Sequence, residues 1–191
     1  GLDVIVIGGG DTATDCVSTA LRQNCKSLVQ FDIYAQRPSE RGEHNPWPQY
    51  PIVHKVDSGQ EEAKHRFGSD PRAFATSAIR FVGDENGRLT GVISQSVNER
   101  KEVIPGTEQL YPAQLVLLAI GFQGPEPELL DDMDIQRTSR TSIQTAAHSY
   151  QTNIPGVFAA GDARRGQSLI VWAIQEGKEA AQQCHQYLTQ S

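Results

Sequence analysis

The sequence predicts an α/β fold, in which helices cover a parallel sheet and a β-hairpin is inserted. A short β-branched run, Leu2 to Ile7, leads into three glycines, Gly8 to Gly10, and then into a helical pattern. A second apolar run from Leu28 to Ala35 completes a strand, turn, helix, strand unit. Asn86-Gly87 separates two further strand patterns, which is typical of a hairpin turn.

The first helix is predicted from Asp11, where the hydrophobic period changes from that of a strand to that of a helix. Apolar residues then recur at i, i+3, i+4, i+7 and i+8, which places them on one helix face. Asn24 is a suitable end for this helix. The apolar residues of the predicted face are Ala13, Cys16, Val17, Ala20 and Leu21.

The rest of the chain is predicted to alternate strands and loops. Residues 38–51 are rich in proline and polar residues, which predicts a loop, and GQEEAKHRF predicts a short helix. For the insertion 42–60 we expect a surface loop on which Trp47 packs, with a partner-binding face as the alternative. The other predicted elements are strands at 77–82, 89–97 and 157–160, a buried strand at 115–120, and a helix at 169–188.

Length and composition fit one complete domain, or one complete domain with part of a second. The chain has 191 residues, a formal net charge of −6 and 3 cysteines without a CxxC pair. An acidic chain argues against nucleic-acid binding. The longest apolar run, Leu115 to Phe122, is too short for a membrane span, which needs about 20 residues. The cysteines indicate no disulfide framework and no metal site, so we expect a reducing, cytoplasmic setting.

The three glycines have the pattern of a dinucleotide-binding loop. Gly8-x-Gly10-x-x-Ala13 follows a strand and opens a helix, and this context makes the pattern specific. Gly8 allows the tight turn, Gly10 lets a pyrophosphate approach the backbone, and Ala13 lets the helix pack on the strand. The N–H groups at the helix start would then face the phosphates. The sequence therefore predicts a Rossmann-like dinucleotide-binding domain, with a ligand-free glycine turn as the alternative.

The residues after the second predicted strand favour NADPH over NADH. An NAD site usually carries an acidic residue at the end of this strand, where it holds the ribose 2′-OH. Gln36 and Arg37 stand there instead, and Arg41 follows. Asp32 is predicted to lie inside the strand, where it is less well placed. An arginine suits a 2′-phosphate, although Arg37 as a solvated loop residue is the alternative.

Two C-terminal stretches, LLAIGF and GVFAAGD, resemble flavoprotein reductases in which an NAD(P) domain is inserted into an FAD domain. The resemblance implies an NAD(P)H-binding domain at 1–121 and the returning part of a split FAD-binding domain at 122–191. It also implies that Gly161 and Asp162 contact FAD and that N–H groups at 167–169 lie near the flavin. The predicted cofactor-binding residues are Gly8, Gly9, Gly10, Asp11, Thr12, Ala13, Arg37, Arg41, Gly121, Gly161, Asp162, Gln167, Ser168 and Leu169.

Four longer stretches resemble the small (beta) subunits of glutamate synthases. They are GGGDTATDCVSTALRQ, NPWPQYP, LVLLAIGF and GVFAAGDARRGQSLIVWAIQEGKEAA. The resemblance implies that hydride passes from NADPH to FAD and that electrons then cross iron–sulfur clusters to FMN in the large (alpha) subunit. There they would reduce 2-iminoglutarate, formed from 2-oxoglutarate and glutamine-derived ammonia, to glutamate. No side chain is assigned as an acid or base, because hydride transfer is the chemistry of the cofactors.

Two parts of the family's pattern do not occur in this sequence: the glycine loop that opens the FAD domain and the N-terminal cluster cysteines. We expect both to precede Gly1, so that the chain corresponds to the C-terminal part of the subunit. Such a part is expected to bind FAD weakly and to be inactive by itself. Two other functions stay open, namely a related flavoreductase that feeds another acceptor, such as a ferredoxin or a pyrimidine-reducing partner, and a non-catalytic nucleotide-binding module.

Overall fold

The structure is a computed structural model that describes residues 1–47 and 51–189. The chain divides into two compact units, unit 1 (Gly1–Gly121) and unit 2 (Phe122–Ser191). In chain order the elements are β1 (Asp3–Ile7), α1 (Asp11–Arg22), β2 (Ser27–Phe31), α2 (Ser58–Phe67), β3 (Arg72–Ala73), β4 (Thr76–Gly83), β5 (Leu89–Ser96), β6 (Gln109–Pro112), β7 (Leu115–Leu118), α3 (Pro127–Asp132), α4 (Asp162–Arg165) and α5 (Ile170–Thr189).

Unit 1 is built on a four-stranded parallel sheet with the order β3-β2-β1-β7. In this sheet Val4 of β1 pairs with Leu28 of β2 and with Leu115 of β7. The apolar run of β1 is buried, as expected for an inner strand of a parallel sheet. α1 packs its buried face against β1 and Leu28 in one apolar cluster. The predicted α/β class and the strand, turn, helix, strand unit are therefore confirmed.

A second sheet of unit 1 is antiparallel and has the order β4-β5-β6. The predicted hairpin between β4 and β5 is confirmed, with Gly87 at a φ of +73° and its N–H donating to the Asp84 carbonyl at 3.0 Å. β6 was not predicted. Val92 of β5 is buried in a cluster with Ile5 and Phe31 of the parallel sheet. The inserted hairpin is thus part of the unit's apolar core.

Two predicted strands of unit 1 end earlier than expected. β2 stops at Phe31 rather than Ala35, so the prediction that Asp32 lies inside the strand is wrong. β7 stops at Leu118, which is 63 % exposed, and the expectation of a buried strand there is also wrong. Among the residues that the structure describes, β7 pairs only with β1 and forms an edge of the sheet. An apolar run alone does not distinguish an edge strand from an inner one.

The described residues of the proline-rich insertion that precede Ser58 form a loop, and the short helix predicted after it is α2. Trp47 is 82 % exposed, so the expectation that it packs on this loop is wrong. The loop is held instead by the buried Asn45, whose Oδ1 accepts the N–H of Ile52 at 2.8 Å. The stretch NPWPQYP includes residues 48–50, which lie outside the described residues.

Unit 2 contains α3, α4 and the long helix α5. The prediction of a strand at 157–160 is wrong, because this segment forms only an isolated bridge between Gln151 and Phe158. The helix predicted at 169–188 is confirmed as α5. The buried residue of α5 is the acidic Glu176, whereas the apolar residues along one face are half-buried or exposed; these are Ala173, Ala180, Cys184 and Leu188. No helix in the described ranges 1–47 and 51–189 is long and apolar enough to cross a membrane.

Candidate functional site

The carboxyl ends of β1, β2 and β3 open onto a cleft of about 230 Å³ in unit 1. Four segments line it: the glycine-rich loop with the start of α1, residues 30–37 around the end of β2, residues 53–60, and residues 72–74. This is the edge of a parallel sheet where ligands bind in open α/β folds. The first two segments were predicted from sequence, and the other two were not.

The glycines of the loop have different surroundings. Gly8 has a φ of +147°, and a Cβ added there would lie 2.1 Å from the Ala119 carbonyl oxygen. Its N–H donates to the Phe31 carbonyl at 2.9 Å, so Gly8 is held by the turn itself. A Cβ added at Gly10 would meet no atom within 4 Å. The backbone at Gly10 is therefore open to a ligand that approaches from the cleft.

The N-terminus of α1 lies beside this open space. Gly10 is the N-cap residue and has no side chain, so it cannot cap the first turn of the helix itself. Uncapped N–H groups and the positive end of the helix dipole attract anions. Together with the open space over Gly10, this end of the cleft fits the pyrophosphate of a dinucleotide.

Two charged side chains that follow β2 lie in the same cleft. Asp32 comes directly after the strand, and its carboxylate would be 2.5 Å from a Cβ added at Gly9. Its Oδ1 accepts the N–H of Tyr34 at 2.9 Å. Arg37 also lines the cleft. The cleft therefore holds both an acid suited to a ribose hydroxyl and a base suited to a phosphate.

Arg41, which was predicted together with Arg37, is not among the cleft residues. Its Nη1 donates to the Asn45 carbonyl at 3.2 Å, so its guanidinium binds the backbone of the insertion. The structure thus brings Asp32 to the cleft in place of Arg41. The spacing of Asp32 after the glycine loop is a signal that could have found it, because the ribose acid of such folds follows the loop by about 20 residues.

The far wall of the cleft is a cluster around Arg72. Its guanidinium donates to both oxygens of Asp70, at 2.9 and 2.7 Å, and lies 5.1 Å from the ring centroid of Phe74. A further bond of 3.2 Å joins it to Nε2 of His54. Burial acts to raise the pKa of Asp70, but the hydrogen bonds and charge of Arg72 outweigh it and lower that pKa. A local sequence motif could not predict this cluster, because its residues come from two separate segments, His54 and residues 70–74.

In unit 2 the predicted Gly161-Asp162 turn is fixed by Glu176. Gly161 has a φ of +64°, and its N–H donates to Oε2 of Glu176 at 2.9 Å. Arg164 and Arg165 donate to Oε1 of Glu176 at 3.0 and 2.7 Å. The Glu176 residue is 1 % exposed, so one buried carboxylate accepts from three donors. Sequence reasoning missed Glu176, because an acidic residue in a helix is usually exposed.

The remaining predicted residues lie at various depths. Ala13 is buried in the core, and Thr12 is exposed on α1. Gly121 is exposed at the end of unit 1, and Asp162 is exposed at the start of α4. Residues 167–169 are exposed before α5. In the part of the chain that the structure describes, no group of three His, Cys, Asp or Glu side chains could hold a metal ion.

Comparison with known proteins places the chain in a family. The pyridine nucleotide-disulphide oxidoreductase family matches residues 2–177. The chain is 48 % identical over 196 residues to the small chain of the NADPH glutamate synthase of Bacillus subtilis (strain 168), covering 98 % of this chain and 40 % of that one. It is 42 % identical over 191 residues to the NADH glutamate synthase of Schizosaccharomyces pombe (strain 972 / ATCC 24843), covering 96 % of this chain and 9 % of that one.

Among solved structures, the thioredoxin reductase from Streptococcus pyogenes MGAS5005 aligns with a TM-score of 0.42 and 22 % identity, over 100 % of this chain and 53 % of that one. The predicted resemblance to glutamate synthase small subunits is confirmed by the sequence comparison. The chain spans less than half the length of the curated relatives described above. It belongs to the pyridine nucleotide-disulphide oxidoreductase family.

Proposed function

We propose that the chain takes part in the electron input of glutamate synthase, with NADPH bound by unit 1 and FAD bound in part by unit 2. The observation that carries this proposal is the open backbone of Gly10 beside the N-terminus of α1. The similarity to glutamate synthase small chains supports the assignment to this enzyme. Iron–sulfur clusters outside this chain, a large (alpha) subunit as partner and a cytoplasmic location are part of the same proposal.

In unit 1, the cleft residues bind and orient the nucleotide. The N–H groups of Gly9, Gly10 and Asp11 would hold the pyrophosphate, because a helix N-terminus favours negative charge. Asp32 would accept a hydrogen bond from a hydroxyl of the adenosine ribose, and Arg37 would pair with a 2′-phosphate. The nicotinamide supplies the hydride when it is bound, and the protein's part is to position it.

In unit 2, we assign Gly161 and Asp162 to the FAD site. Gly161 has a backbone conformation that a side chain would strain, and Glu176 holds its N–H at 2.9 Å. Asp162 is the exposed first residue of α4, so its carboxylate is accessible to a ligand hydroxyl. The N–H groups of residues 167–169, just before α5, are assigned to the flavin end of the same site.

Asp32 and Arg37 are expected to act in opposite directions on the choice of nucleotide. Arg37 attracts the 2′-phosphate and makes NADPH the preferred ligand, while the Asp32 carboxylate repels it and keeps the preference small. Asp32→Asn is expected to increase the affinity for NADPH relative to NADH by at least about tenfold, since one charge-assisted contact contributes about 1.5–3 kcal/mol. Arg37→Gln is expected to lower the affinity for NADPH relative to NADH by a similar factor, so that NADH becomes the preferred nucleotide. Calorimetric titration of the three proteins with both nucleotides measures this.

Arg41→Gln is the matched control for Arg37→Gln, because Arg41 is bonded within the insertion loop and lies outside the cleft lining. Its ratio of NADPH to NADH affinity should equal that of the unmodified chain. If Arg37→Gln also left this ratio unchanged, Arg37 would not be the residue that binds the 2′-phosphate. If neither nucleotide bound to the unmodified chain, the proposal for unit 1 would fail as a whole.

A further inference from the structure

A buried chain of polar side chains joins α2 to the glycine-rich loop. Gln30 and Gln60 are 1 % and 2 % exposed. Nε2 of Gln30 donates to the Gly8 carbonyl at 2.9 Å. Nε2 of Gln60 donates to Oε1 of Gln30 and to Oγ1 of Thr14, both at 3.2 Å. Thr14 in turn donates to the Gly10 carbonyl at 3.4 Å, so the network reaches both ends of the loop.

The network constrains which backbone groups of the loop face the cleft. In a trans peptide the C=O of one residue and the N–H of the next point in opposite directions. Gln30 holds the Gly8 carbonyl toward the interior, and this directs the N–H of Gly9 away from Gln30. The Gly10 carbonyl also accepts the Thr14 N–H at 3.1 Å, which directs the N–H of Asp11 outward. The Gln30 side chain thus fixes the first of these orientations, and the Thr14 hydroxyl adds to the backbone bond that fixes the second.

Gln60 does more than cap its own helix. Its Oε1 accepts the N–H of Asp57 at 3.2 Å, which is one half of a capping box at the start of α2. A capping box uses only this oxygen. The Nε2 group makes the two other bonds. Their acceptors, on Gln30 and Thr14, lie far from Gln60 in the sequence. These bonds have no part in forming α2, and they connect α2 to the loop.

α2 is also fixed against α1 along its length. A Cβ added at Gly59 would be 2.3 Å from Oγ of Ser18, so the two helices approach closely there. At the other end Arg66 donates to the Leu21 carbonyl at 3.2 Å and to the Cys25 carbonyl at 3.2 Å. A movement of α2 would therefore disturb α1 as well as the loop.

We propose that Gln60 is a positioning residue of the nucleotide site, which holds the loop N–H groups in their phosphate-binding orientation through Gln30 and Thr14. Gln60 is the last residue of the insertion 42–60, for which the sequence predicts a surface loop, and it completes the site. The inference rests on the proposed binding of a dinucleotide in unit 1. It concerns the affinity for the pyrophosphate rather than the choice between NADH and NADPH.

The experiment compares NADPH affinity in the unmodified chain, Gln60→Met and Gln60→Glu by calorimetric titration. Methionine keeps the length and buried volume of Gln60 but cannot donate. Glutamate keeps the acceptor for Asp57 and cannot donate either bond. Because its buried charge would itself repel a phosphate, it serves in amide NMR without ligand if the methionine variant does not fold. Both variants are expected to bind NADPH about tenfold more weakly, since a misplaced binding group loses much of its interaction. The affinity for NADH should fall by the same factor.

Ala63→Gly is the matched control, because Ala63 is buried in the core on the same helix and lies outside the network. It destabilises α2 but is expected to leave NADPH affinity within about twofold. A readout without ligand completes the test: the amide NMR signals of Gly9 and Asp11 should shift in the Gln60 variants and not in Ala63→Gly. Folded Gln60 variants with unchanged affinity and unchanged signals would overturn the inference while leaving the proposed function intact. Absence of NADPH binding by the unmodified chain would instead overturn the proposed function.

Discussion

Gly10→Val is expected to abolish the binding of NADH and NADPH while unit 1 stays folded. The φ and ψ of Gly10 are −97° and −174°, in the extended region that a β-branched residue readily adopts. A Cβ there meets no protein atom within 4 Å, so the fold tolerates it. The valine side chain would occupy the space that the pyrophosphate needs. We expect an affinity loss of at least about 100-fold, or about 2.7 kcal/mol, by calorimetric titration.

Gly8→Ala provides the contrasting control. A Cβ at Gly8 would be 2.1 Å from the Ala119 carbonyl oxygen, and the φ of +147° is strained for any side chain. This variant is expected to lose about 3 kcal/mol of unfolding free energy, from overpacking and backbone strain together. Gly10→Val should unfold in urea at nearly the concentration of the unmodified chain. A folded Gly10→Val protein that still binds NADPH with unchanged affinity would show that the loop is not the phosphate site.

Glu176→Ala is expected to destabilise unit 2 by about 3 kcal/mol. Removal of one partner of a buried ion pair costs about 3–5 kcal/mol, and the lower end applies here because both arginine side chains are partly exposed. The Gly161 N–H would also lose its acceptor. Urea unfolding measures the loss, with Trp172 fluorescence as the signal. The guanidinium of Arg165 lies over Trp172, at 4.8 Å from the centroid of the tryptophan ring. The variants are made in a Trp47→Phe background, because Trp47 is the other tryptophan of the sequence.

Two further variants separate charge from shape. Glu176→Gln keeps the size of the side chain and one acceptor but loses the charge, so an intermediate loss is expected. Lys178→Ala changes an exposed residue of the same helix and should alter the unfolding free energy by no more than about 0.5 kcal/mol. Equal stability of Glu176→Ala and Lys178→Ala would mean that the Glu176 cluster does not hold the Gly161 turn.

The glycine-rich loop and the elements on either side of it could be predicted because their signals are local. β1, the loop and α1 are consecutive, and the change of hydrophobic period marks where the strand ends. The end of β2 could not be predicted in this way. The apolar run continues to Ala35, whereas the strand stops at Phe31, opposite the last residues of β1 and β3. The β3 partner of this strand lies about 40 positions away in the chain, so the residues next to Phe31 carry no signal of where β2 ends.

The buried polar residues could not be predicted for a related reason. Gln60 and Glu176 are polar residues in helices, a pattern that usually indicates exposure. Each is buried because several donors or acceptors from other elements satisfy its side chain. Those partners are brought together only by the fold, so a single sequence contains no signal that pairs Gln60 with Gln30, or Glu176 with the N–H of Gly161.

The central claim is that the cleft of unit 1 binds the pyrophosphate of a nicotinamide dinucleotide at the start of α1. Titration of the ¹⁵N-labelled chain with NADPH, followed by amide NMR, tests it most directly. We expect saturable shifts that are largest for Gly9, Gly10 and Asp11, with smaller shifts near Asp32 and Arg37. The antiparallel sheet β4-β5-β6 should be unaffected. An absence of saturable shifts, or shifts confined to residues outside the cleft, would contradict the claim.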